Sequence, residues 1–255
     1  MVHLYMSPYS GEQKATPQTI HTCHSTVELS VDMRLIAHRG FASVYPENTL
    51  RAIANAAAIA DEIEVDVRRC ASGELVVIHD STVDRVTEKS GAVREYTASE
   101  LGEMRVFGTD ERIPTLRAVL QIVPEHVRVN VELKERDLAA DAIELITSQH
   151  PHAIISSFSE TALLECVTSD VDLPLAYLSD APSSIAVQTA LELECDALHL
   201  SVDRCTPDAI AAAHSAGLEL NAWTIDTSAE AESLVSIDVD GLIADRPDIL
   251  PEATL

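Results

Sequence analysis

Carboxylates lie between apolar residues in two segments of the chain. Glu64 and Asp66 alternate with Ile63, Val65 and Val67, and Glu132 lies between Val131 and Leu133 in the second segment. Side chains alternate between the faces of a β-strand, so Glu64 and Asp66 share one face. Converging carboxylates repel one another unless a hard cation binds them, and oxygen ligands without thiolates favour Mg²⁺ or Ca²⁺ over zinc. We therefore predict one divalent-cation site formed by Glu64, Asp66 and Glu132.

Two histidines and two cationic residues follow other apolar segments. His38 and Arg39 follow the first such segment, His79 follows the third, and Lys134 lies on the same face of its strand as Glu132. Imidazoles exchange protons near neutral pH, so His38 and His79 suit acid–base catalysis. Arg39 and Lys134 suit an anion, and the guanidinium matches phosphate geometry. A metal, two histidines and two cations together predict phosphoryl chemistry.

Each of these residues taken alone also has a structural interpretation. Glu64 and Asp66 are compatible with ordinary salt bridges, and Lys134 with a buried ion pair to Glu132. The residues end several different predicted strands, however, and the joint pattern favours a catalytic site.

Short apolar runs alternate with helical periodicity along most of the chain, which predicts parallel strands joined by helices. A length of 255 residues suits a closed (β/α)₈ TIM barrel. An open doubly wound sheet is the alternative, but no GxGxxG follows an early strand. The predicted strands are Arg34–Ala37, Ile63–Val67, Leu75–Ile78, Val127–Leu133, Ala153–Ser156, Leu175–Leu178, Ala197–Leu200, Leu218–Thr224 and Gly241–Ala244. The predicted helices are Thr49–Ala60, Thr115–Ile122, Asp137–Ser148, Glu160–Thr168, Ser183–Leu193, Pro207–Ala216 and Ser228–Val235.

One of these strands is surplus to a barrel. The segment between Val67 and Leu75 is too short for a helix, and Ser72-Gly73 is a turn signal. We therefore predict a hairpin folded about Ser72-Gly73, which places Asp66 opposite His79.

The predicted domains are a flexible extension over residues 1–30 and one barrel domain over residues 31–255. The extension contains His3, His21 and His24, for which a metal-binding tail is the alternative. Residues 81–113 are polar and contain three glycines, and we predict a small insertion there that caps the site.

The net charge of the chain is −25, from 42 acidic and 17 basic residues. Such a surface repels nucleic acid and anionic lipid, so neither is an expected partner. The depletion of lysine favours a salt-adapted host over an ordinary acidic protein, because concentrated salt screens self-repulsion. The five cysteines include no CxxC pair and indicate a reducing compartment. Without a signal sequence or a long apolar run, we expect a cytoplasmic protein with no stable membrane anchor.

The order of these motifs resembles the glycerophosphodiester phosphodiesterase family over about residues 33–250. The resemblance rests on Ala37–Gly40, Tyr45–Thr49, Glu62–Val67, Leu75–Asp80, Val83–Thr87, Gly91–Val93, Pro114–Leu116, Asn130–Lys134, Ser156–Phe158, Asn221–Thr224 and Gly241–Pro247. It implies a TIM barrel with a small insertion after the His-Asp motif. It also implies hydrolysis of glycerophosphodiesters, such as glycerophosphocholine, to glycerol 3-phosphate and an alcohol.

The resemblance implies roles for the residues already singled out. The implied metal ligands are Glu64, Asp66 and Glu132, the implied acid–base pair is His38 and His79, and the implied phosphate-binding residues are Arg39 and Lys134.

Four other residues carry weaker predictions. Glu47 either orients Arg39 or favours the start of the first helix, and Asp80 is expected to hold His79 in one tautomer. The resemblance suggests that Trp223 lines the substrate cleft, with core packing as the alternative, and His199 is expected to be structural.

Two other functions fit the same scaffold. One is cleavage of a lysophospholipid or sphingolipid headgroup, and the other is non-catalytic binding of a phosphate ligand. The sequence leaves open the preferred alcohol, the metal, the division of roles between the histidines and the oligomeric state. Attack by water and attack by the glycerol hydroxyl through a cyclic phosphate also remain open.

Overall fold

The structure is a computed structural model that describes residues 33–169 and 172–250. The predicted extension over residues 1–30, with its histidines, lies outside the described residues. Within them, the strands are β1 (Arg34–Ala37), β2 (Glu62–Arg69), β3 (Leu75–Val77), β4 (Arg128–Leu133), β5 (Ala153–Ser157), β6 (Leu175–Ser179), β7 (Ala197–Ser201), β8 (Glu219–Ile225) and β9 (Gly241–Ala244). The helices are α1 (Leu50–Ala56), α2 (Ala98–Leu101), α3 (Leu116–Ile122), α4 (Ala139–Gln149), α5 (Glu160–Val167), α6 (Ser183–Glu192), α7 (Pro207–Ser215) and α8 (Ser228–Val235).

Eight of these strands form a closed parallel ring. β1 closes it, because Ala37 pairs in parallel with Ile63 of β2 on one side and with Ala244 of β9 on the other. β3 lies outside the ring and pairs antiparallel with the end of β2. The closure confirms the predicted (β/α)₈ barrel and excludes the open doubly wound sheet.

Local sequence signals explain where the helices begin. Six helices start after a Ser or Thr whose side-chain oxygen accepts a hydrogen bond from the backbone three residues later, which satisfies an otherwise unpaired N–H. These residues are Thr49, Thr97, Thr115, Ser159, Thr206 and Thr227. The C-terminal ends of the helices have less distinct sequence signals than their N-terminal ends. α1 ends at Ala56 instead of the predicted Ala60, because the chain tightens there and Ile59 N–H donates to the carbonyl of Ala56.

The hairpin of β2 and β3 differs from the predicted register by one residue. The N–H of Ile78 donates to the carbonyl of Asp66 over 2.9 Å, so Asp66 faces Ile78 and not His79. The turn is centred on Ser72, and Gly73 adopts a left-handed φ of 96°. Glycine adopts this conformation without steric cost. The predicted centre between Ser72 and Gly73 was therefore wrong.

The segment between β3 and α3 forms a small apolar cluster of its own beside the barrel. Val83, Val86, Leu101 and Val106 are buried there, together with Ile78 from the end of the hairpin. This is the small insertion expected after the His-Asp motif. Throughout the described residues, each helix is too short or too polar to cross a membrane.

Candidate active site

The paired strands β2 and β4 bring three carboxylates together inside the barrel. Asp66 lies directly opposite Glu132, and Glu64 lies two residues earlier on the same strand as Asp66. One oxygen of each carboxylate lies within 4.8 Å of the others, and all three residues are buried. Burying unpaired charge is costly. This carboxylate cluster (Glu64, Asp66 and Glu132) therefore needs positive charge beside it.

Two oxygens of the carboxylate cluster make no hydrogen bond to any described residue, namely Glu64 Oε1 and Asp66 Oδ1. Burial and the charge of Asp66 raise the pKa of Glu64 to about 8, and the same two causes raise the pKa of Glu132. For Asp66, burial opposes ionisation, but Arg39 and Lys134 outweigh it and lower its pKa. Buried carboxylate oxygens that accept no hydrogen bond suit a hard divalent cation. The residues present therefore fit the predicted metal.

Arg39 and Lys134 contact the carboxylate cluster from different strand ends. Arg39 Nε lies 3.0 Å from Asp66 Oδ2, and the backbone N–H of Arg39 donates to Glu64 Oε2 over 2.9 Å. Lys134 Nζ donates to Glu132 Oε1 over 2.5 Å and lies 3.3 Å from Asp66 Oδ1. The ion pair between Lys134 and Glu132 is thus present. Both cations also line the cavity beside the cluster.

The backbone after β1 turns sharply to bring His38 and Arg39 into the site. Arg39 and Gly40 have left-handed φ angles of 50° and 76°. A Cβ on Gly40 would lie 2.8 Å from Ala52 Cβ, so only glycine fits without displacement of α1. Non-glycine residues in this conformation are uncommon and often occur at functional sites.

Both histidines line the same cavity, and each has an aspartate at Nδ1. His38 Nδ1–H donates to Asp245 Oδ1 over 2.5 Å, and His79 Nδ1–H donates to Asp80 Oδ1 over 2.6 Å. Such bonds fix the tautomer and leave Nε2 for the substrate side. His38 Nε2 lies 4.0 Å from Glu64 Oε2.

The pKa values of the two imidazoles are shifted in opposite directions. Burial disfavours the protonated form of His38, but the bond to Asp245 and the nearby charge of Glu64 outweigh it and raise the pKa. For His79, burial prevails over Asp66 and Asp80, and the pKa is lowered. The two rings therefore differ in proton affinity, which suits a pair that takes up one proton and releases another.

The cavity has a volume of about 180 Å³, and both charged and apolar side chains line it. Phe158 and Trp223 are among the apolar lining residues and pack edge to face, with ring centroids 5.3 Å apart and planes at 87°. Trp223 Nε1–H donates to the carbonyl of His199, whose own side chain is buried. Trp223 therefore lines the cavity. This mixed lining suits a ligand that has both a charged group and carbon-bonded parts.

Glu47 accepts a hydrogen bond from Arg39 Nη1 over 3.1 Å, whereas Thr49 provides the N-cap of α1. The geometry thus favours the first of the two interpretations of Glu47, as a partner of Arg39.

Three contact residues were missed by the sequence predictions. Asp245 directly follows β9, as His38 directly follows β1, so the rule of polar residues at strand ends would have found it. Asn48 Nδ2–H donates to Asp66 Oδ2 over 2.8 Å, and Arg85 bonds Asp80 and Glu47. Both lie in irregular segments, where no periodicity indicates a contact.

Polar groups at the carboxyl ends of barrel strands form the active sites of this fold. The acidic cluster, paired imidazoles and cations of this chain lie at that end. The arrangement is that of a barrel enzyme for an anionic substrate.

Comparison with known proteins identifies the family. Residues 38–249 match the model of the glycerophosphoryl diester phosphodiesterase family. A glycerophosphodiester phosphodiesterase of Caldanaerobacter subterraneus subsp. tengcongensis is 33% identical over 85% of this chain and 95% of its own length. A probable glycerophosphodiester phosphodiesterase 2 of Mycobacterium tuberculosis is 30% identical over 86% of this chain and 90% of its own.

Solved structures agree with this result. An Oleispira antarctica phosphodiesterase in complex with the product sn-glycerol-3-phosphate superposes with a TM-score of 0.78 at 25% identity, covering 84% of this chain and 93% of the other. A glycerophosphodiester phosphodiesterase of Thermotoga maritima has a TM-score of 0.72 at 29% identity, covering 85% and 96%. The chain therefore belongs to the glycerophosphoryl diester phosphodiesterase family. The predicted family, fold and enzyme class are confirmed.

Proposed function

We propose that this protein hydrolyses glycerophosphodiesters to glycerol 3-phosphate and an alcohol, using one divalent cation, Mg²⁺ or Ca²⁺, held by Glu64, Asp66 and Glu132. The proposal is carried by the carboxylate cluster, whose oxygens lie within 4.8 Å of one another beside the cavity that His38 and His79 line. The product bound to the Oleispira antarctica phosphodiesterase supports glycerol 3-phosphate as the phosphorylated product here.

His38 and His79 are the proposed acid–base pair. One imidazole removes the proton of the nucleophile, and the other donates a proton to the alcohol oxygen as its bond to phosphorus breaks. Asp245 and Asp80 hold the two rings through Nδ1 and leave Nε2 for these transfers. The nucleophile is either water or the neighbouring glycerol hydroxyl, which would form a cyclic phosphate that water then opens.

Arg39 and Lys134 are the proposed phosphate-binding residues. Without substrate they neutralise the carboxylate cluster, and both lie on the cavity wall. The cation, when bound, adds positive charge near the phosphate oxygens and stabilises the charge of the transition state. The rings of Phe158 and Trp223, which also line the cavity, are proposed to contact the less polar parts of the substrate.

A substrate panel tests this proposal. Purified protein is incubated with glycerophosphocholine, glycerophosphoethanolamine and lysophosphatidylcholine, with and without EDTA, in low and molar salt. We expect glycerol 3-phosphate from the soluble diesters, loss of turnover with EDTA, and recovery with Mg²⁺ or Ca²⁺. Faster cleavage of the lysolipid would favour a headgroup phosphodiesterase, and full turnover in EDTA would contradict the metal. The salt comparison tests the predicted adaptation to high salt.

A further inference from the structure

Arg85 connects two loops of the active site through one guanidinium group. Its Nε and Nη2 donate to Asp80 Oδ2 and Oδ1 over 2.7 and 3.2 Å, and its Nη1 and Nη2 donate to Glu47 Oε2 and Oε1 over 2.7 and 2.8 Å. Asp80 Oδ1 also accepts from His79 Nδ1, and Glu47 Oε1 also accepts from Arg39 Nη1. One side chain therefore holds the partner of a histidine and the partner of a phosphate-binding arginine.

We propose that Arg85 is a positioning residue through which the insertion sets the geometry of both His79 and Arg39. The inference rests on the proposed function, because it concerns the residues assigned there to proton transfer and phosphate binding. Arg85 itself touches neither of these two residues in the described hydrogen bonds. It acts through Asp80 on one side and through Glu47 on the other.

The backbone that carries Arg85 is firmly held. Val83 and Val86 lie on either side of it in sequence and are buried in the apolar cluster of the insertion. Arg85 therefore projects toward the barrel from a packed base, although 43% of its side chain is exposed. An arginine fork that bonds a carboxylate through two N–H groups fixes the plane of that carboxylate as well as its distance.

A positioning role for Arg85 can be distinguished from a purely structural one by comparing its effect on turnover with its effect on folding stability. The Arg85 side chain is 43% exposed, and ion pairs of exposed side chains add little to folding stability. A displacement of a reacting group by about 1 Å can lower turnover by roughly 10²-fold. If Arg85 positions the site, its loss changes kinetics far more than stability. If Arg85 only stabilises the fold of the insertion, its loss changes thermal stability and leaves kcat and KM unchanged.

The two contacts of Arg85 also predict separable kinetic effects. Asp80→Asn disturbs His79 and should lower kcat with little change in KM. Glu47→Gln disturbs Arg39 and should raise KM for glycerophosphocholine with a smaller change in kcat. Arg85→Gln should do both. In the Glu47→Gln/Asp80→Asn background, Arg85→Gln should add almost nothing, because the groups through which it acts are already altered.

The test measures kcat and KM for glycerophosphocholine at saturating Mg²⁺, together with the thermal midpoint. We expect Arg85→Gln to lower kcat by about 10–100-fold and to raise KM several-fold. Arg85→Lys keeps the charge without the fork and should recover only part of the loss. The control is Arg105→Gln in the same insertion, whose salt bridge to Asp110 is exposed. It should leave both constants within about twofold of the wild type.

Wild-type kcat and KM in Arg85→Gln would overturn the inference, as would a loss that persists undiminished in the Glu47→Gln/Asp80→Asn background. If Arg85→Gln does not fold, the test uses Arg85→Lys instead. Wild-type kcat and KM in Arg85→Lys would also overturn the proposed positioning role of Arg85. Failure of the proposed function gives a different result. A wild-type protein that releases no glycerol 3-phosphate from any diester overturns that function, and this inference with it.

Discussion

Replacing either His38 or His79 with alanine is expected to lower kcat for glycerophosphocholine by about 10²–10⁴-fold while the protein stays folded. Each ring is assigned one proton transfer, and the neighbouring aspartate cannot replace an imidazole whose Nε2 faces the cavity. Both side chains line the cavity and neither belongs to the apolar core of the barrel, so their truncation enlarges the cavity and leaves that core intact. Turnover is measured by release of glycerol 3-phosphate at saturating metal, and folding by circular dichroism and the thermal midpoint.

His214→Ala is a matched control for these variants. His214 Nε2–H donates to Asp240 Oδ2 over 2.8 Å, so it is another histidine with a carboxylate partner, but it belongs to α7 and does not line the cavity. Its loss should leave kcat within about twofold of the wild type. Near-normal turnover in either active-site variant would remove that histidine from the proposed mechanism.

Glu64→Gln and Asp66→Asn are expected to raise the concentration of Mg²⁺ or Ca²⁺ needed for half-maximal activity by roughly tenfold or more. An amide is a weaker ligand than a carboxylate, and each substitution removes one negative charge from the site. The exposed Glu103→Gln is the control and should leave the metal requirement unchanged. The measurement is activity against metal concentration after treatment with EDTA. An unaltered metal requirement in both ligand variants would contradict the assignment.

The Glu64→Gln substitution should also change thermal stability, in opposite directions with and without the metal. Burial and the charge of Asp66 raise the pKa of Glu64 to about 8, so the ionised cluster is unfavourable without a cation. At neutral pH the folded, metal-free protein therefore holds Glu64 protonated, at a cost in stability that the neutral amide of Glu64→Gln does not carry. In EDTA, its thermal midpoint should therefore equal or exceed that of the wild type. With added metal the order should reverse, because a ligand that binds only the folded state stabilises it.

Strand periodicity was sufficient to predict the residues whose positions depend on regular structure. Alternation placed Glu64 and Asp66 on one face of β2, and the parallel pairing of β2 with β4 set Asp66 beside Glu132. His38 and Lys134 could be predicted because they follow or end strands of the barrel. These positions are dictated by repeating geometry, which a single sequence displays.

Residues placed by turns and loops could not be predicted in the same way. The hairpin turn is centred on Ser72 and not between Ser72 and Gly73, and this shift moves the partner of Asp66 from His79 to Ile78. Asn48 reaches Asp66 from the loop before α1, although their positions differ by 18 in sequence. Arg85 reaches Glu47 across 38 positions. Such contacts form only when separate segments of the chain pack together, so the periodicity within one segment does not predict them.

The central claim is tested most directly by locating the cation in crystals. Crystals grown with Mn²⁺, a divalent ion that also takes oxygen ligands, give an anomalous signal that marks its position. The account predicts one strong peak within coordination distance of carboxylate oxygens from Glu64, Asp66 and Glu132, in the cavity that His38 and His79 line. A peak at another site, with none at the carboxylate cluster, would contradict it.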